Sequence, residues 1–145
     1  MNIKRFTTEQ KDTLIKLLHD GEHSCVVGST SGDIYTFDRR GVKDLYELLC
    51  NRPEILHHAF IADKVVGKGA AAIICAGSVQ EIYTDVISQS AEALLCDHGV
   101  IVQYGQRVPH IINRAGTDIC PVEKLCAECG TPAECVKQIS LFLQK

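Results

Sequence analysis

The run from Glu81 to Ile87 constrains this chain more than any other stretch. Ile82, Tyr83, Val86 and Ile87 put apolar side chains on both faces of an extended segment. Such a strand belongs in the middle of a sheet that is covered on two sides, as in parallel sheets packed between helices. The surrounding chain alternates accordingly. A short strand at Ala59–Ala62 and an Ala- and Gly-rich helix over Lys64–Cys75 precede it, and a helix over Ser88–His98 and a strand over Val100–Tyr104 follow. Right-handed crossovers would make these strands parallel.

The flanking segments add different elements. Thr7 and Gln10 fit a capping box, and a helix with the stripe Leu14, Leu17 and Leu18 runs to about His19, ending at Gly21. His23–Ser29 and Ile34–Phe37 read as a hairpin turning at Ser31-Gly32-Asp33. A helix over Val42–Cys50 is stopped by Asn51-Arg52-Pro53, and His57 and His58 are expected to point to opposite faces of a strand. Gly105–Ile119 is irregular. Pro121 then opens a helix to about Cys129, and Thr131-Pro132-Ala133-Glu134 caps the last one. The expected architecture is one α/β domain, 1–145, with a mixed sheet of about five strands, an N-terminal hairpin, helices on both faces and a two-helix extension over 120–145.

Composition narrows the partners. A net charge of −3 offers no broad basic field for nucleic acid or an anionic membrane surface. Aromatics at 6% with no Trp give little platform for base stacking. The polar start, Met1–Glu9, does not read as a signal peptide, and no apolar run approaches the ~18 residues of a membrane span. Eight cysteines without an export signal then predict reduced thiols or metal ligands in a cytoplasmic protein.

Three segments carry a family resemblance: Asp63-Lys64-Val65-Val66-Gly67-Lys68-Gly69-Ala70-Ala71, Ser88-Gln89-Ser90-Ala91-Glu92, and Val108-Pro109-His110-Ile111-Ile112-Asn113-Arg114. Together with the element order they resemble a bacterial family known only as a domain of unknown function within the cytidine-deaminase-like superfamily. The resemblance implies a three-layer cytidine-deaminase-like fold and no particular activity. Zinc deaminases carry His-x-Glu or Cys-x-Glu at one helix start and Pro-Cys-x-x-Cys at the next. Here those places hold Lys64–Lys68 and Ser88-Gln89-Ser90, with no His or Cys, which argues against conventional zinc-dependent deamination.

Ligands of open parallel sheets bind beyond the carboxyl ends of the strands. Asp63, Lys64 and Gly67 follow one strand and nominate a ligand-binding surface, with Arg114 from the irregular segment as an anion grip. Lys68, Ser88, Ser90 and Glu92 are the candidates for chemistry: Lys68 for charge, a serine or lysine as reacting group, and Glu92 as acid or base. Lysines in the first turn of a helix oppose its dipole, and a bound anion would resolve that conflict. The competing reading is plain: Asp63 and Ser88 as caps, the glycines as packing positions, the lysines solvated. Asp85 can equally hydrogen-bond a helix terminus or face the pocket, and His110 can line the pocket or stand in a surface loop.

Cys120, Cys126, Cys129 and Cys135 follow the spacing Cys-x5-Cys-x2-Cys-x5-Cys. Four thiolates can hold zinc or an iron–sulfur cluster, and Cys126-Ala127-Glu128-Cys129 can act as a redox pair. Yet Val122, Leu125, Cys126 and Cys129 also form an apolar helix stripe continued by Cys135, Ile139 and Phe142, so core packing is the preferred reading and no cofactor the default. Three functions stay open: an atypical enzyme or binder of a small anionic, nucleotide-like metabolite; a metal or redox protein; and a non-catalytic interaction module. Homo-oligomerisation is compatible with each.

Overall fold

A computed structural model describes residues 6–39, 41–113 and 115–144. Its elements are α1 (Thr8–Asp20), β1 (Cys25–Gly28), β2 (Ile34–Phe37), α2 (Lys43–Asn51), α3 (Pro53–Leu56), β3 (Phe60–Val66), α4 (Lys68–Ala76), β4 (Glu81–Ser88), α5 (Gln89–Asp97), β5 (Ile101–Val108), α6 (Pro121–Cys126) and α7 (Pro132–Leu143). The five strands form one mixed sheet in the order β2-β1-β3-β4-β5. β1 is antiparallel to β2 and β3, while β3, β4 and β5 are parallel. The expected hairpin and alternating centre are therefore both present.

Local chemistry starts and stops these elements. Thr7 Oγ1 accepts from Gln10 N at 3.1 Å and Gln10 Oε1 accepts from Thr7 N at 2.9 Å, a reciprocal cap on α1. The hairpin closes with Ser29 N donating to Asp33 O at 2.9 Å and with Gly32 at φ 93°. Pro53 does not simply end a helix: it occupies the first turn of α3, where its missing N–H costs nothing. His57 and His58 do not sit on a strand either. His58 has φ 58°, and the two rings stack with centroids 3.9 Å apart.

The sheet separates two apolar clusters. On one face α1 lays Leu14 and Leu18 on Val26, Phe60 and Ala62. On the other, α4 presses Ala70–Ile74 against Ile61, Ile82 and Ile87 and is itself covered by α5, α6 and α7. A helix enclosed on all sides must be apolar all round, which accounts for the Gly-Ala-Ala-Ala-Ile-Ile run. β4 is central as expected, but its cover is unequal. Ile82 and Ile87 are fully buried on the crowded side, whereas Tyr83 and Asp85 are only half-buried toward α1. Among the described residues no helix is long and apolar enough to cross a membrane.

Two boundaries differ from the sequence reading in ways that matter for the site. β3 runs on through Lys64 to Val66, so α4 begins at Lys68 rather than at Lys64. Lys64 and Lys68 thus share no helix face. β-Branched Val65 and Val66 favour the extended form, and Val65 and Val66 pair with Val86 and Ile87 of β4. β5 likewise continues past Tyr104 to Val108, because the carboxyl half of β4 pairs with it as far as Ser88.

Candidate functional site

The carboxyl ends of β3 and β4 release the chain into α4 and α5, so the amino ends of two helices converge there. Gly67 stands before α4 with no side chain to cap it. The cap comes instead from Glu123 of α6, whose Oε1 accepts from Lys68 N at 2.8 Å. The same oxygen accepts from Ser88 Oγ at 2.9 Å, and Oε2 accepts a short bond from Ile111 N. Glu123 is 4% exposed. A buried carboxylate tied to two N–H donors and a hydroxyl, at a helix amino end, is a satisfied anion.

The glycines serve this arrangement. A Cβ on Gly67 would lie 3.1 Å from Glu123 Oε1 and 3.2 Å from Ile111 Cγ1. A Cβ on Gly69 would stand 2.3 Å from Val122 Cγ1, so α6 can reach α4 only because that position is bare. The Lys68 ammonium points away from the carboxylate. It donates to Cys129 O at 2.7 Å and Ala127 O at 3.2 Å, closing the carbonyl end of α6.

The remaining nominated residues fall into separate places. Ser88 caps α5 through Ala91 N at 3.3 Å, and Ser90 Oγ lies 3.4 Å from Ser88 Oγ. Glu92 is paired with Arg107 Nε of β5 at 2.7 Å. Lys64 is half-buried on β3, where its backbone N–H donates to Ser24 O. Arg114 lies outside the described residues. Asp85 is on the α1 side, bound by His19 at 2.8 Å and by the Tyr83 hydroxyl at 2.7 Å, and that bond pushes the Tyr83 phenol up to about 12. The structure therefore gathers Gly67, the Lys68 backbone, Ser88 and Ser90, and holds Lys64, Asp85 and the Lys68 ammonium apart from them.

Asp63 is the other unusual group at this end. It is buried at the β3 position paired with Cys25 and accepts from Val65 N at 3.2 Å. Desolvation pushes its carboxyl up to about 7 against the lowering effect of those donors, with a smaller push from the charge of Asp85. Burial also drives the neighbouring Cys25 thiol well up, and the Asp63 charge adds to this.

In the C-terminal helices Cys126 and Cys135 are fully buried and Cys129 half-buried. The Cys135 thiol interacts with those of Cys126 and Cys129, and desolvation first, then its neighbours, push it up to about 12. Cys120 precedes α6 as its N-cap residue and is half-buried. Among the described residues no set of three His, Cys, Asp or Glu side chains has the arrangement of a metal site.

A separate cavity of about 340 Å³ opens between α1 and the β1–β2 turn, lined by Gln10, Thr13, Leu14, Ser29 and Asp33 among others. It lies at the amino end of β3, opposite the convergence of α4 and α5, since Gly28 pairs with Phe60. Among the described residues, none of those nominated from sequence lines it. Sequence reasoning also missed Glu123. Its visible signal was modest: an acidic residue in the first turn of a helix, next to the apolar stripe.

The profile of the family described as TM1506, domain of unknown function (DUF1893), matches residues 13–143. A crystal structure of a DUF1893 family protein (TM1506) from Thermotoga maritima is similar to this chain, with a TM-score of 0.88 and 24% sequence identity over 98% of this chain and 95% of that one. At that identity the likeness speaks for the fold. No curated protein matches the chain.

Proposed function

Since the chain belongs to the DUF1893 family, whose description assigns no activity, we propose from its chemistry that it is an atypical cytidine-deaminase-like domain. In this reading it binds a small anionic, nucleotide-like metabolite at the carboxyl ends of β3 and β4. The observation that carries the reading is the Glu123 carboxylate held by Lys68 N, Ser88 Oγ and Ile111 N. These groups converge on one carboxyl group, which the chain itself supplies. A phosphate or carboxylate of a ligand would take the same donors when Glu123 withdraws with α6.

The residues do not suit the zinc of conventional deaminases. The starts of α4 and α5 offer backbone N–H groups and serine hydroxyls where thiolates and imidazole would be required, and a carboxylate fills the space between them. No catalytic step through zinc is assigned.

The test compares thermal unfolding with nucleoside monophosphates and with the corresponding nucleosides. The monophosphates are expected to stabilise the protein, the nucleosides to do so far less, and Ser88→Ala to abolish the difference. Equal responses to both series, or none, would contradict the reading.

A second reading rests on the gathering of Cys126, Cys129 and Cys135 in the apolar core between α4 and the C-terminal helices. Zinc, or an iron–sulfur cluster, would have to displace their protons. Elemental analysis and an absorption spectrum of anaerobically purified protein decide it. Stoichiometric metal lost in Cys126→Ser supports this reading; metal-free protein with thiols that react only after unfolding assigns them to the core.

A further inference from the structure

The cavity of about 340 Å³ between α1 and the β1–β2 turn falls within the ~300–1,000 Å³ of small-molecule sites. Its lining is partly apolar. Leu14 packs against bare Gly28, Phe6 packs on Phe60 with ring centroids 5.9 Å apart, and Ile34 is 50% exposed. The polar part of the lining is rich in acceptors. A hydroxyl gives a single proton but can also accept at its lone pairs. Thr13 Oγ1 donates to Glu9 O at 2.9 Å, and Ser31 Oγ donates to Asp33 Oδ2 at 3.0 Å. Ser29 Oγ has Ser31 Oγ at 2.7 Å and Asp33 O at 3.3 Å, so its proton is also used within the turn. What these hydroxyls have left are lone pairs. Glu9 on α1 and Asp33 on the turn add carboxylates from the two walls, and among the described residues neither is paired with a cation. Among the described residues no Lys, Arg or His lines the cavity.

We propose that this cavity binds an aliphatic diamine, its ammonium groups on Glu9 and Asp33 and its methylene chain against Leu14, Phe6 and Ile34. An ammonium group brings N–H donors and no acceptor. That is the complement of a lining whose hydroxyl protons are largely committed and whose charges are carboxylates. An anionic ligand would meet like charge here, and a neutral one would leave the carboxylates without a counter-charge. A bare metal ion is a poorer fit, because among the described residues no set of three His, Cys, Asp or Glu side chains is arranged to hold one. The site lies at the amino end of β3, away from the convergence of α4 and α5, and has the opposite charge preference. It therefore stands or falls independently of the anion site.

The test is titration calorimetry of the full chain with 1,6-diaminohexane, hexylamine and 1,6-hexanediol. The diamine is expected to bind with one molecule per chain and the diol not to bind measurably. Hexylamine, which lacks the second ammonium, should bind roughly three- to fivefold more weakly than the diamine, as the loss of one exposed ion pair implies. Glu9→Gln and Asp33→Asn each remove a charge at nearly constant size, and the new amide oxygen in Asp33→Asn can still accept from Ser31 Oγ. Each should lower the affinity for the diamine by that same factor. Diamine binding at several molecules per chain, or unchanged in either variant, would be general attraction to surface carboxylates and overturns the proposal. So does a diol that binds as well as the diamine, or a chain that binds none of the three.

Discussion

Asp63 shows how one side chain sets a pH dependence. Its folded-state carboxyl lies at about 7, above its ordinary 3.8, because burial disfavours the charge. The folded protein therefore holds a proton that the unfolded chain releases at lower pH, so this group's contribution to stability falls as pH rises through that window and is fully lost above about 7. Asp63→Asn is expected to remove that fall: the variant should gain on the wild type in Tm between pH 5 and 8, as scanning calorimetry at several pH values would reveal. A constant difference across pH would contradict it. Glu123 acts through its hydrogen bonds, its carboxyl oxygens accepting from Lys68 N, Ser88 Oγ and Ile111 N. Glu123→Ala leaves those donors buried and unpaired and should cost on the order of 2–4 kcal/mol in denaturant unfolding at neutral pH. An unchanged midpoint would mean that the carboxylate does not hold α6 in place. Neither role was visible in the sequence. The donors to Glu123 lie 55, 35 and 12 residues away, and no local pattern connects them.

At the scale of elements, the contact between α4 and α6 depends on a bare backbone at Gly69. Gly69→Ala would drive a methyl group to 2.3 Å from Val122 Cγ1, and overpacking of this kind costs ~1–3 kcal/mol. Val122→Ala should relieve it, so the double variant is expected to be more stable than the sum of the two single effects predicts; strict additivity in urea unfolding would contradict the packing account. Elements with strong local signals were legible: the α1 capping box, the Ser31-Gly32-Asp33 turn, the Pro- and Thr-marked start of α7. The segment from Lys64 to Val66 was not, because two valines beside an Ala-rich helix satisfy both periods, and pairing with β4 decides. The polar end of β5 was missed for the same reason. Gln106–Val108 becomes strand only because Val86–Ser88 lies beside it. Of the candidate site, the place was legible from the strand–helix junctions, while the direction of Lys68 was not. Its ammonium serves the carbonyls ending α6.

For the whole molecule, the layout of one crowded sheet face and one face covered by α1 follows from where apolar residues fall. The crowded face stacks α6 and α7 over α4, and this second tier delivers Glu123 to the helix amino ends. β5 closes the sheet order on one side, beyond β4. The central claim is that the convergence of α4 and α5 is an anion site that the protein fills with its own carboxylate. Its most direct test is the Tm of Glu123→Ala and of wild type as inorganic phosphate is raised at constant ionic strength. The account predicts that the variant starts lower and climbs with phosphate while the wild type changes little, as the added anion takes the donors of Lys68, Ser88 and Ile111. Parallel curves, with the deficit of the variant unchanged at every phosphate concentration, would contradict it.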